Sequence, residues 1–573
     1  MRLINAQTLQ FDEFFEPSIP GYVILSHTWD DGEVTFQDMA TTTRPIPKKG
    51  YRKVIETCFL ARQMGIGYVW VDTCCIDKTS SAELTESINS MFRWYKNALV
   101  CVAHLADLEA SVELKDGIAK CRWSTRGWTL QELIAPQIII FYDKNWCERG
   151  SKDDFCEELS AATQVPESVL LDPDLISKYS IAQRMSWASE RATTRTEDMA
   201  YCLFGIFEVN MPLIYGEGGT RAFQRLQKEI IKYSNDTTIF AWNPTAAELS
   251  HEHCLIFASC PKAFTGSHSI IPRSMQDYNP EFSITNKGLR IQDRLRVSQM
   301  NSLNDSLSEY SWTVGINLFG GSLAVVHLRK LGPDLFIRQT RLLSSVGHMT
   351  DSHLGLSRDN TFWRHDDPGQ QKSIYIMDSS IPPSSVFAGF REFGIRCADF
   401  SRVWGTNPTY FTRAIPHDLW DHSDFIFLPN KDWLVRGIRF NQNIGEHMYR
   451  LAIVLRPSSL PGLDQQQQQQ RYSLSIWDTE NHPAETARIF PPNLSKTTPN
   501  EDLTVSDLVE DCPVVWKLGN VLEIQVDGGE TYRVTVSCEP EEVTMFSQII
   551  TMFSLRIVIS KMPSDNNSES LAI

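Results

Sequence analysis

Four residues at the end of one apolar run, Ser26, His27, Thr28 and Trp29, supply the first candidate chemistry in this sequence. The run before them, YVILSH (residues 22–27), has the continuous hydrophobicity of a fully buried strand, and a parallel sheet places its ligand crevice beyond the carboxyl ends of its strands. An imidazole and an indole at that position can bind or stack a nucleotide. His27 can equally be a structural histidine held by hydrogen bonds. A second run, YVWVDT (68–73), delivers Asp72, with Asp77 and Lys78 in the loop beyond it. Asp72 in such a loop can also cap backbone amides. Further on, Trp128 and Glu132 in GWTLQE stand four residues apart, so a helix puts both on one face. On spacing alone that pair is a core indole and a helix-surface carboxylate.

Other chemistries find less support. The 13 cysteines include no CxxC pair, so neither a zinc ribbon nor a disulfide framework is written here, and most should be buried thiols. His251, His253, Cys254 and Cys260 form an incomplete metal set without a second half-site, and a polar loop explains them as well; no resident metal is expected. YGEGG (215–219) lacks the lysine and preceding strand of a phosphate-binding loop, and there is no Gly-x-Ser-x-Gly elbow. Arg191, Arg195, Glu197 and Asp198 are expected to form buried ion pairs.

The elements that must position these residues follow from periodicity. YVILSH, YVWVDT, ALVCVAHL and QIIIFYD are strands separated by helices over 51–64, after the Ser80/Glu83 capping box, and over 128–134 following the cap candidates Ser124 and Thr125. Alternation of this kind predicts a parallel sheet covered on both faces, with functional residues in the loops after the strands. Helical patterns follow at 155–163, 181–188, 197–207 and 222–233. Past Trp242 the period changes to two, as in SWTVGINLFGGSLAVVHLRK, YSLSIWD and LEIQVDGGETYRVTVSC, with Asp527-Gly528-Gly529 as a hairpin turn. The expected organisation is an α/β domain over 1–150, a helical extension packed on it over 151–243, and a β-rich region over 244–562. A glutamine-rich loop is expected near 465–470 and a disordered tail over 563–573.

Composition sets the class. A chain of 573 residues with 42% hydrophobic and 22% charged side chains has apolar mass for more than one core. The net charge of −16 is shared between the two halves, without a basic arm, so nucleic acid is not an expected partner. Asp12, Glu13 and Glu16 interrupt the N-terminus before any signal-like apolar run, and no stretch reaches the ~18 residues of a membrane span. These features point to a cytoplasmic protein.

Three blocks resemble the fungal heterokaryon-incompatibility (HET) domain: YVILSHTWDDGEVTFQDM, GYVWVDTCCIDKTSSAELTESINSMFRWYKNALVCVAHLAD and WSTRGWTLQELIAPQIIIFYDKNW. The flanking MRLINAQTLQFDEFF and the block RMSWASERATTRTEDMAYCLFGIFEVNMPLIYGEGG and beyond look like what surrounds that domain, so the resemblance covers about residues 1–243. It implies a role in vegetative incompatibility, the cell death that follows fusion of genetically unlike hyphae. The HET domain is in turn similar to Toll/interleukin-receptor (TIR) domains, whose sheet is flavodoxin-like and some of which cleave NAD at the nicotinamide glycosidic bond. In those, a catalytic Glu stands four residues beyond a Trp, as Glu132 does beyond Trp128. A pyridinium leaving group already carries positive charge and needs no general acid, so one carboxylate facing the developing oxocarbenium ion suffices. The resemblance thus implies Glu132 as the catalytic residue and Ser26, His27, Trp29, Asp72, Asp77 and Trp128 as substrate-binding. NAD is then a substrate, no cofactor is needed, and self-association or an incompatibility partner protein activates the chain. Two alternatives stay open: a non-enzymatic death adaptor acting by assembly, and a protein that keeps the fold without death signalling.

Overall fold

The computed structural model describes residues 1–40 and 46–273, most of 281–346, residues 373–378, and the strands with their adjoining residues between 395 and 562. Seven strands form the first sheet: β1 (Arg2–Asn5), β2 (Phe11–Glu13), β3 (Tyr22–His27), β4 (Tyr68–Trp70), β5 (Val100–His104), β6 (Ile139–Tyr142) and β7 (Glu148–Ser151), in the order β2-β1-β4-β3-β5-β6-β7. The four strands expected from the apolar runs, β4-β3-β5-β6, are parallel as anticipated. The sheet as a whole is mixed, because β1 pairs antiparallel with β4, β2 with β1, and β7 with β6. These short edge strands alternate weakly or not at all, and their pattern does not separate them from loops.

Chain order explains where a crevice must fall. From β3 the chain moves to β4 on one side and then crosses to β5 on the other, so connections leave the β3/β5 boundary in opposite directions. The register there pairs His27 with His104, the last residue of each strand. β3 is buried along its whole length, as its continuous hydrophobicity requires.

The covering helices form for identifiable reasons. The helix Tyr51–Gln63 buries Tyr51, Val54, Cys58 and Ala61 at helical spacing and gives way to Gly65, whose φ of +74° is favourable only to glycine. In the helix Ser81–Asn97, Ser80 Oγ accepts the amide of Glu83 at 3.3 Å. The reciprocal half of the expected box is absent, because the Glu83 carboxylate takes Arg2 Nη1 at 2.7 Å and the Asp77 amide at 2.8 Å instead. Trp94 and Tyr95 on this helix meet Trp70 edge-on.

Some boundaries differ from expectation. The helix expected over 128–134 runs Thr129–Ile134, and Ser124 and Thr125 belong to a separate turn of helix, Arg122–Thr125. The helix expected over 197–207 shortens to Asp198–Tyr201, followed by turns. Gly205 lies in those turns, where a Cβ would stand 2.0 Å from Phe92 Cβ, so the chain closes onto the sheet-covering helix. The helix expected over 222–233 runs Gly219–Ile230.

The hydrophobic core does not stop at Trp242. One cluster runs from Leu3 to Ile376 and includes Phe240, Trp242, Phe257, Trp312 and Phe336. Arg338, in the strand Leu335–Gln339, is buried and donates to the carbonyls of Phe240 at 3.1 Å and Trp242 at 2.6 Å. Its guanidinium carbon lies 3.6 Å from the centre of the Trp242 ring, and Lys228 pairs with Asp378 across the same join. A second, separate cluster joins Ile395, Ile438, Phe440, Ile453, Ile476, Val534 and Leu555. It lies between the sheets containing Arg436–Ile444, His447–Pro457 and Tyr472–Asp478, and Val521–Val526, Glu530–Met545 and Gln548–Lys561. The pairing of Val526 with Glu530 brackets Asp527–Gly529; these turn residues, the glutamine tract and the tail from Pro563 lie outside the described residues. Among the described residues, no helix is long and apolar enough to cross a membrane.

Candidate functional site

The loops that follow β4, β3 and β5 converge at the carboxyl ends of those strands, and five residues singled out from sequence meet there. Ser26 is fully buried. Its Oγ accepts from Trp123 Nε1 at 2.7 Å and donates to Glu132 Oε2 at 2.5 Å. Glu132 is therefore not a surface carboxylate: it is 6% exposed, on the face of Thr129–Ile134 that covers β3. Burial pushes its pKa up to about 8, and the neighbouring negative charge of Asp72 pushes the same way; Ser26, Arg126 and Tyr95 pull it partly back.

Asp72 has the opposite tendency. Burial alone would raise its pKa, but His27, the charge of Lys78, and the Trp29 indole together hold it well below the usual carboxylate range. The geometry is explicit. His27 Nε2 lies 3.1 Å from Asp72 Oδ1, Trp29 Nε1 donates to Oδ2 at 2.9 Å, and Lys53 Nζ stands 3.2 Å from His27 Nδ1. An ammonium can only donate, so Nδ1 accepts and the imidazole hydrogen sits on Nε2, directed at Asp72. Lys53 also bonds the Thr28 carbonyl at 3.0 Å, Asp30 Oδ2 at 3.3 Å and Glu33 Oε1. Asp30 in turn takes Arg122 Nη2 at 2.8 Å, tying the loop after β3 to the helical turn after β5.

Two of the sequence candidates stand aside from this cluster. Asp77 Oδ1 accepts from Gln37 and from the Thr79 amide and hydroxyl, the pattern of an Asx turn. Trp128 is half-buried and its Nε1 donates to Asp198 at 3.2 Å, which points it toward the helical extension. The ion pairs expected there do not form. Arg191 donates to the Arg126 carbonyl and Thr129 Oγ1, while Glu197 accepts the amides of Gly216 and Gly218.

The sequence reading missed Lys53, Trp123 and Arg126. Lys53 had a signal: with Thr57 it lies one turn apart beside the apolar stripe of its helix, where a lysine is out of place. His104, beside His27, is buried against Trp146 with ring centres 4.2 Å apart, and burial, Lys53 and His27 lower its pKa to about 4. His253 lies in the two-residue strand His253–Cys254, with His251 outside it, so no strand face presents both histidines. Among the described residues no group of three His, Cys, Asp or Glu side chains is placed to hold a metal ion.

Four parallel strands in a mixed sheet, with a polar cluster at the carboxyl ends of adjacent ones, define an α/β protein with its candidate site at the strand ends. Part of the chain that builds it, residues 22–117, matches the family described as Heterokaryon incompatibility protein (HET). That segment holds Ser26, His27, Trp29, Lys53, Asp72 and Lys78 and ends before Trp123, Arg126 and Glu132. Over 223 residues the chain is 45% identical to Vegetative incompatibility protein HET-E-1 of Podospora anserina, a stretch covering 37% of this chain and 16% of that protein. The chain thus spans less than a fifth of that relative. No solved structure matches it.

Proposed function

We propose that this chain is a vegetative incompatibility effector and that its first sheet, TIR-like in the order of its parallel strands, acts by cleaving NAD at the nicotinamide glycosidic bond. The incompatibility role is supported by the match over residues 22–117 and by the similarity to HET-E-1. The chemistry is supported by one observation: the Glu132 carboxyl is buried beneath the β3 end against Ser26, where burial and nearby Asp72 raise its pKa, while His27, Lys78 and Trp29 lower that of Asp72.

Asp72 is a fixed anion that orients His27 and Trp29, whereas Glu132 changes charge near neutral pH. A pyridinium brought beside Glu132 would favour its ionised form, since a nearby positive charge lowers a carboxyl pKa. In the reaction the C1′–N bond breaks with its electron pair going to the nicotinamide nitrogen, which leaves neutral. The Glu132 carboxylate faces the oxocarbenium ion. Water then adds at C1′ and loses a proton to the carboxylate or to solvent. Glu132 is enclosed in this structure, so access requires the residues around it to move.

The same enclosure favours a second reading, in which the domain signals by assembly and Glu132 is a structural residue bonded to Ser26. Full-length protein assayed at high concentration separates the two. Glu132→Gln keeps the side-chain volume and should lower NAD consumption by about two orders of magnitude or more without unfolding the protein. Folded Glu132→Gln protein that consumes NAD at the parent rate eliminates the catalytic role. Death in a fungal host that survives the substitution, with no NAD loss in the parent, selects assembly.

A further inference from the structure

Trp29 is 40% exposed just beyond the carboxyl end of β3, and two cations attend it. Lys78 Nζ sits 3.6 Å from the centre of its ring and Arg126 Cζ 5.6 Å. Both distances fall within cation–π range. Among the described residues neither cation has a carboxylate within ion-pair distance, whereas Lys53, Arg122 and Lys48 nearby are each paired with one. In a chain of net charge −16, these two adjacent cations at the strand ends, which act on Asp72 and Glu132 only at a distance, can still take up a further anion.

The mounts are rigid. Trp29 is fixed through its Nε1 by Asp72. The Arg126 backbone is held in a bridge to Ala192, and its carbonyl accepts from buried Arg191 at 2.8 Å and Thr129 Oγ1 at 2.9 Å. Lys78 stands between the Asp77 turn and the Ser80 cap. The three residues come from the loops after β3, β5 and β4, three adjacent strands, and meet at the Trp29 ring, while Arg126 acts electrostatically on Glu132.

We propose that Arg126 and Lys78 form the subsite for the phosphates of a nucleotide, with Trp29 serving as their shared mount. The proposal rests on the reading of Glu132 as facing the glycosidic bond of NAD, since it places the pyrophosphate of the same molecule. It also changes the part played by Trp29: with an ammonium on its ring, the indole positions cations and does not stack a base.

The test uses full-length Glu132→Gln protein, which should hold ligand without turnover, with ADP and adenosine as probes in titration calorimetry. ADP should bind more tightly than adenosine, with an affinity that falls as salt rises. Arg126→Gln and Lys78→Gln should each weaken ADP about tenfold and leave adenosine unchanged, and Lys78→Arg should restore most of the loss. Circular dichroism confirms the fold of each variant. Equal affinity for ADP and adenosine, no ADP binding, or ADP binding indifferent to both substitutions overturns the subsite. The two readings fail separately. Parent-background variants that cleave NAD with unchanged KM leave Glu132 standing and remove the subsite. ADP binding that needs both cations, in a protein that never cleaves NAD, does the reverse.

Discussion

Glu132 shows how far a residue can be read from a sequence and where that stops. Its spacing from Trp128 was legible, but its burial under the β3 end depends on Trp123 and Ser26, which are 9 and 106 residues away along the chain. The structure turns it into a pH-dependent element of stability. Below its ordinary pKa of 4.5 it is protonated in folded and unfolded chains alike; above that, the folded form keeps a proton that the unfolded form releases, until pH reaches about 8. Stability should fall across that interval by up to about 1.4 kcal/mol per pH unit and then level off. Urea denaturation of Glu132→Gln should show this decline removed, making the variant relatively more stable at pH 8 than at pH 5. Asp72 supplies part of the push, so Asp72→Asn should move the Glu132 titration to lower pH, seen as an earlier end to the decline. An unmoved midpoint would show that the two carboxyl groups do not sense each other.

At the scale of elements, periodicity located the parallel strands and the larger helices because each buries a continuous stripe or run. It failed where a tertiary contact decides. The short helix at Asp198–Tyr201 ends as the chain reaches Gly205 against Phe92, and β1, β2 and β7 are too short to carry a period. The strand Leu335–Gln339 carries the clearest such contact. Arg338 alternates into the core at a position where the pattern calls for an apolar residue, and its two carbonyl partners explain why. Arg338→Met would leave the Phe240 and Trp242 carbonyls buried without their donors, at a cost of about 3 kcal/mol or more. Thermal melting should register this as a drop of several degrees in the unit that contains the first sheet. A silent substitution would mean that the strand does not hold the 237–242 segment.

The whole molecule has two hydrophobic clusters, and the division that matters for folding falls between Ile376 and Ile395, well past the change of period near Trp242. Periodicity reports the type of secondary structure and is blind to which core an element joins. Calorimetry of the full chain should therefore resolve two transitions. A fragment ending at 243 should expose Phe240 and Trp242, bind a hydrophobic dye and aggregate, whereas one ending at 378 should melt cooperatively. A soluble, cooperative 1–243 fragment would refute this arrangement. The guanidinium that reaches two carbonyls at this join also limits how the crevice could be recombined with other sequences. A graft at residue 243 would succeed only onto a successor that brings its own fork of N–H donors and an apolar lid for Trp242, so exchange of the first 243 residues is governed by a lock that any new neighbour must carry.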